Sequence, residues 1–108
     1  LLQLQNKIQL FENELQEFNG LKSVSEIRNK GLMAGIDLIK NKTTGEKFSL
    51  KERMGKKVCD SALKEGILLR PLGDTIVLMP PISINNSEIK KLTKATYKAI
   101  KDVTENNV

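Results

Sequence analysis

The chain has 108 residues, a formal net charge of +5 and 39% hydrophobic residues, the size and balance of one ordinary globular domain. It contains no histidine and a single cysteine, Cys59. That excludes Ser-His-Asp and Cys-His catalysis, an intrachain disulfide framework and any ordinary zinc site. 

The basic excess comes from fifteen lysines spread over every segment and only three arginines, while Phe11, Phe18, Phe48 and Tyr97 are the only aromatic residues. Such a surface lacks the stacking platforms of a nucleic-acid binder. No apolar run approaches the ~20 residues of a membrane span. The lone thiol suits a reducing compartment, so a cytoplasmic chain with neither membrane nor nucleic-acid partner is expected.

Leu1, Leu4, Ile8, Phe11, Leu15 and Phe18 recur at spacings of three and four, which predicts a first helix with one apolar face. Gly20 is expected to end it as a left-handed cap. No capping residue opens the pattern, so the chain is expected to be a piece of a longer protein. Residues 24–28 read as an edge strand. LMAGIDLI (32–39) follows Gly31 and is apolar on both faces apart from Asp37, the pattern of a central strand. Gly35 within it predicts a bulge or a close approach by a neighbouring element. NKTTGEK (41–47) is a polar loop.

Ser49 and Glu52 have the spacing of a capping box, and Met54, Val58 and Ala62 then mark one face of a second helix that Gly66 closes. Strands over 67–70 and 75–79 are predicted, joined by a tight turn of Pro71, Leu72, Gly73 and Asp74. Pro80 and Pro81 stop the second of them. A last helix starts near Asn85 or Ser87 and carries Ile89, Leu92, Thr96, Ala99 or Ile100, and Val103 on one face, with Lys90, Lys91, Lys94, Lys98 and Lys101 turned elsewhere. Short turns between neighbouring strands imply an α+β domain, a three- to four-stranded and mainly antiparallel sheet with helices packed on it.

The chemistry this chain can carry is narrow. No phosphate-cradling glycine loop is present. Cys59 sits in mid-helix without a partner base and reads as a small packing residue. Asp74 is expected to support the hairpin and Asp37 to pair with a nearby cation; Arg28 reads as an edge-strand charge. Arg70 is different, a permanent charge in an apolar setting beside a rigid turn. It is either hydrogen-bonded to carbonyls or to Asp74 with its stem packed on leucines, or a fork held ready for a substrate carboxylate.

Two stretches, VSEIRNKGLMAGIDLI (24–39) and GILLRPLGDTIVLMPP (66–81), resemble the C-terminal small domain of class III aminotransferases, pyridoxal-phosphate enzymes of the fold-type-I group. The second stretch is most similar to the biotin-pathway branch of that family. The resemblance implies that residues 1–20 lead in from a missing large domain and that residues 21–108 form the small domain. It also implies that Arg70 binds the substrate carboxylate. 

In that branch an amino group passes from S-adenosylmethionine to 7-keto-8-aminopelargonate. The large domain supplies the Schiff-base lysine and most cofactor contacts, so no catalytic residue, no metal ligand and no bound pyridoxal phosphate are expected in this piece, and its cofactor-binding residues stay unassigned. The implied partners are the chain's own large domain, a second subunit of a homodimer and a small-molecule substrate. The isolated piece is expected to be inert and to self-associate through its docking face. The alternatives are the small domain of another ω-amino-acid transaminase of the family and a free-standing α+β binding module.

Overall fold

The structure, a computed structural model, describes residues 2–105. Leu1 of the predicted stripe and residues 106–108 of the predicted small domain lie outside the described residues. Helix α1 spans Leu2–Leu15 and runs into a 3₁₀ turn at Gln16–Gly20. Strands β1 (Val24–Lys30) and β2 (Met33–Leu38) follow, then helix α2 (Met54–Lys64), strands β3 (Arg70–Leu72) and β4 (Thr75–Leu78), and the long helix α3 (Asn86–Glu105). The four strands form one antiparallel sheet in the order β1-β2-β4-β3. The α+β architecture expected from the sequence is therefore the one observed.

Burial alternates along the two central strands. Ala34, Ile36 and Leu38 of β2 and Ile76 and Leu78 of β4 are buried, whereas their neighbours are only partly covered. One sheet face thus meets the helices and the other does not, the usual arrangement for an antiparallel sheet. The core beneath the covered face joins Phe11, Leu15 and Phe18 to Val58, Ala62, Ile89, Ala99 and Ile100. Each of the larger of these side chains, the phenylalanines, leucine, valine and isoleucines, contributes about 1.5–3 kcal/mol on full burial. Phe18 meets Tyr97 edge-on, with ring centroids 5.6 Å apart.

Several local expectations need correction. Gly20 does not adopt a left-handed conformation; α1 instead tightens into the 3₁₀ turn, whose Phe18 carbonyl accepts the Leu21 N–H at 3.1 Å, keeping Phe18 in the core. The Ser49/Glu52 box is present but caps only the 3₁₀ turn Leu50–Glu52. Arg53 then takes a left-handed step (φ 45°, ψ 51°) that re-aims the chain before α2 begins at Met54. 

The predicted strand over 67–70 is also displaced. The Gly66 and Ile67 N–H groups are spent on the Leu63 and Ala62 carbonyls, a Schellman closure of α2. Pairing begins only at Arg70, so the arginine opens β3 where it was expected to end a strand. The turn proper is Gly73-Asp74, and Gly73 (φ 62°) supplies the positive φ that a two-residue hairpin of this kind needs at its first position. Pro71 is tolerated because β3 is an edge strand. Gly35 sits in regular pairing, and the sheet's irregularity lies instead between Val24 and Glu26.

Helix α3 is capped by Asn85, whose Oδ1 accepts the Glu88 N–H at 2.8 Å while Glu88 accepts the Asn85 N–H at 3.0 Å. Thr93 and Thr96 are buried within it and satisfy their hydroxyls on carbonyls one turn earlier.

Phe11 tests whether α1 belongs to this core. It is fully buried, and Phe11→Ala should lower the unfolding free energy of the chain by about 3–5 kcal/mol, measured by urea denaturation. A loss near zero would mean that α1 docks without contributing to folding.

Candidate functional site

The face of the sheet turned away from the helices holds the polar chemistry. Strand register sets Arg28 opposite Gly35, Gly35 opposite Val77 and Val77 opposite Arg70. One cross-strand row therefore carries an arginine at each edge of the sheet, with a glycine and a valine between them. The adjacent row runs through Glu26, Asp37, Thr75 and Leu72.

The two arginines have opposite fates. Arg28 donates to both oxygens of Asp37, Nη1 to Oδ2 at 2.6 Å and Nη2 to Oδ1 at 3.0 Å, and reaches Glu26 at 3.3 Å. Such a two-pronged grip is the strong form of the Arg–carboxylate pair. Thr75 Oγ1 adds a third hydrogen bond to Asp37 Oδ1 at 2.7 Å. A Cβ at Gly35 would lie 3.5 Å from Arg28 Nη2 and from Thr75 Cγ2, ordinary van der Waals contact, so the close approach expected at this glycine is not found and the Arg28–Asp37 pair does not require it. Partial burial alone pushes the Asp37 carboxyl upward. The hydrogen bonds from Arg28 and Thr75, helped by the charges of Arg28 and Lys47, outweigh burial and hold it below its ordinary value. Arg28 in turn is raised, first by its hydrogen bond to Asp37 and then by that carboxylate's charge.

Arg70 is exposed, and no ion pair among the described residues includes it. The structural alternative that paired it with Asp74 is not realised. Asp74 turns instead toward α2, where its Oδ1 accepts the Gly55 N–H at 3.3 Å, and its own carbonyl accepts the Leu38 N–H at 2.9 Å. Arg70 is thus a fixed-charge fork on a short hairpin strand with its donors toward solvent. Two residues along the same strand Leu72 is 73% exposed, an apolar neighbour to the cation.

The other predicted positions are plainer. Cys59 is buried against the core, and burial, followed by the charge of Asp60, pushes its thiol up to about 11; it packs and does not attack. Lys56 pairs with Asp60 at 2.9 Å and Lys98 with Glu65 at 3.4 Å, both on the surface. Among the described residues no group of three potential ligands for a metal ion occurs, and no helix is long and apolar enough to cross a membrane. Two contributors were missed in the sequence, Thr75 and Gly55. The only hint of the second is a glycine placed early in a helix, where it carries a propensity cost.

Comparison with known proteins gives this geometry a context. Residues 1–100 match the family described as aminotransferase class-III. The chain is 45% identical over 103 residues, 95% of its length, to the adenosylmethionine-8-amino-7-oxononanoate aminotransferase of Aquifex aeolicus, and 41% identical over 99 residues, 92% of its length, to that of Methanocaldococcus jannaschii. The crystal structure of the latter superposes with a TM-score of 0.88, and the chain covers 23% of it. A Pseudomonas jessenii omega transaminase in complex with PMP superposes at 0.86 with 26% identity, over 95% of this chain and 23% of that one. The chain spans 22% and 23% of the two curated relatives it matches above.

The Asp37 network makes a pH prediction. Because its folded pKa lies below the ordinary 3.8, the stabilisation is fully present above that value and is lost as pH falls through the depressed one. The stability difference between wild type and Asp37→Asn, from urea unfolding at a series of pH values, should be constant near neutrality and shrink in acid. A difference that stays flat down to about pH 2 would exclude the network as a source of acid sensitivity.

Proposed function

The chain belongs to the class III aminotransferase family, and we propose that it is the C-terminal small domain of a biotin-pathway member, in which Arg70 clamps the carboxylate of the substrate. One observation carries this reading. Of the two arginines on the open sheet face, Arg28 is consumed by Asp37, whereas Arg70, on a two-residue hairpin, has no ion-pair partner among the described residues. A guanidinium fork matches a carboxylate by two parallel hydrogen bonds, and the exposed Leu72 on the same strand suits an aliphatic chain behind that carboxylate. The identities to adenosylmethionine-8-amino-7-oxononanoate aminotransferases support S-adenosylmethionine as amino donor and 7-keto-8-aminopelargonate as acceptor. The resident thiol fits a reducing cytoplasm.

Two of the backbone donors at helix starts are already taken within the chain. The N–H of Glu88, in the first turn of α3, is taken by Asn85, and that of Gly55, in the first turn of α2, by Asp74, so neither is offered to a phosphate. When bound in the whole enzyme, pyridoxal phosphate supplies the electron sink for amino transfer. Its Schiff-base lysine and most of its phosphate contacts belong to the large domain. Residues 1–20 then form the lead-in from that domain, and residues 21–108 the small domain that closes one side of the cleft. The open sheet face is the side offered to the large domain, and in its absence the small domain self-associates there.

Two measurements test the reading. In the whole enzyme Arg70→Ala should lower kcat/KM for the keto acid by roughly 30- to several-thousand-fold, the range for breaking a hydrogen-bonded charge pair that is buried in the complex; an unchanged value would make Arg70 structural. The 108-residue chain mixed with pyridoxal phosphate should give no stoichiometric change in the cofactor's visible absorption and no transamination. Stoichiometric attachment at one lysine would overturn the division of labour between domains.

A further inference from the structure

Strand β3 is three residues long, lies at the sheet edge and pairs only with β4. Its position, and so that of Arg70, depends on what fixes the Gly73-Asp74 turn. Two bonds meet there. Asp74 O accepts the Leu38 N–H at 2.9 Å, tying the turn to the end of β2, and Asp74 Oδ1 accepts the Gly55 N–H at 3.3 Å, tying it to the first turn of α2. The residue that would ordinarily cap α2, Arg53, makes no side-chain cap. Asp74 therefore serves one of the helix's orphan N–H groups from a different element and places its carboxylate at the positive end of the helix dipole. Gly55 allows the contact, because a Cβ there would fall 2.2 Å from Gly73 O; any side chain would lever the turn away.

We propose that Asp74, received by Gly55, is a positioning residue that fixes the Arg70 fork by bolting its hairpin to the start of α2. This rests on the clamp reading of Arg70. Asp74 touches no substrate in this scheme. It acts by denying the edge strand the small displacements that spoil a two-pronged carboxylate grip, where a misplacement of about 1 Å can cost on the order of 100-fold in rate.

The test uses the whole enzyme with a keto-acid acceptor and its methyl ester, which keeps the chain but lacks the charge. Asp74→Ala should lower kcat/KM for the acid by roughly 10- to 100-fold and leave the ester near wild type. Asp74→Asn, which keeps an acceptor oxygen for Gly55, should restore the acid. Combined with Arg70→Ala, the Asp74→Ala change should add no further loss, the mark of two residues acting as one unit. If Asp74→Ala yields too little folded enzyme, Asp74→Ser is read by the same acid-to-ester ratio. Equal losses for acid and ester, or an unaffected acid while Arg70→Ala is impaired, overturn the positioning role alone. An acid rate untouched by Arg70→Ala overturns the clamp and this inference together.

Discussion

Burial of one face of an antiparallel sheet is the constraint from which the remaining features follow. Ala34, Ile36, Leu38, Ile76 and Leu78 must alternate with residues that point the other way, because side chains along a strand change face at every step. Once the helices have claimed the first set, register alone decides which residues share the second. Arg28, Gly35, Val77 and Arg70 come into one row although 42 positions separate the two arginines in sequence, from 28 to 70. A slip of one residue in β3 would turn Arg70 toward the covered face, where a guanidinium has no place.

The contrast between the two arginines shows how little chemistry separates a cation paired within the sheet from one left exposed. Both sit at sheet edges and both keep their fixed charge. A carboxylate two residues along the neighbouring strand turns Arg28 into part of the sheet. Strand β3 has no such neighbour beyond its single partner β4. The sheet order, more than any property of arginine, leaves Arg70 available.

Much of this was legible in the sequence because it is periodic or local. The stripe through Phe11, Leu15 and Phe18, the central strand around Ile36, the closing glycine at position 66 and the cap at Asn85 all follow from spacing. The misplacements occur where a local signal was true but governed a smaller unit. Ser49 and Glu52 do form a box, yet it serves one 3₁₀ turn because Arg53 reverses the backbone. Ile67 and Leu68 have strand-like character, yet the helix's closing turn reaches to Ile67, and β3 does not begin before Arg70. Arg70 itself was visible as an anomaly, a charge in an apolar hairpin, but the absence of an ion pair to it among the described residues was not. Nor could the sequence show that Asp74 would prefer an amide of α2, since that contact spans 19 positions and no local pattern encodes it.

The composition of the sheet's two borders has a further consequence. Edge strands carry unpaired backbone groups that can recruit strands from other molecules. Here one border is only three residues long and contains Pro71, which has no N–H to offer, and the other is lined by Glu26, Arg28 and Lys30. Lateral growth from strand to strand is therefore blocked at both ends. Association of this chain is thereby steered to contacts between side chains, which are sensitive to single substitutions in a way that fibrillar stacking is not.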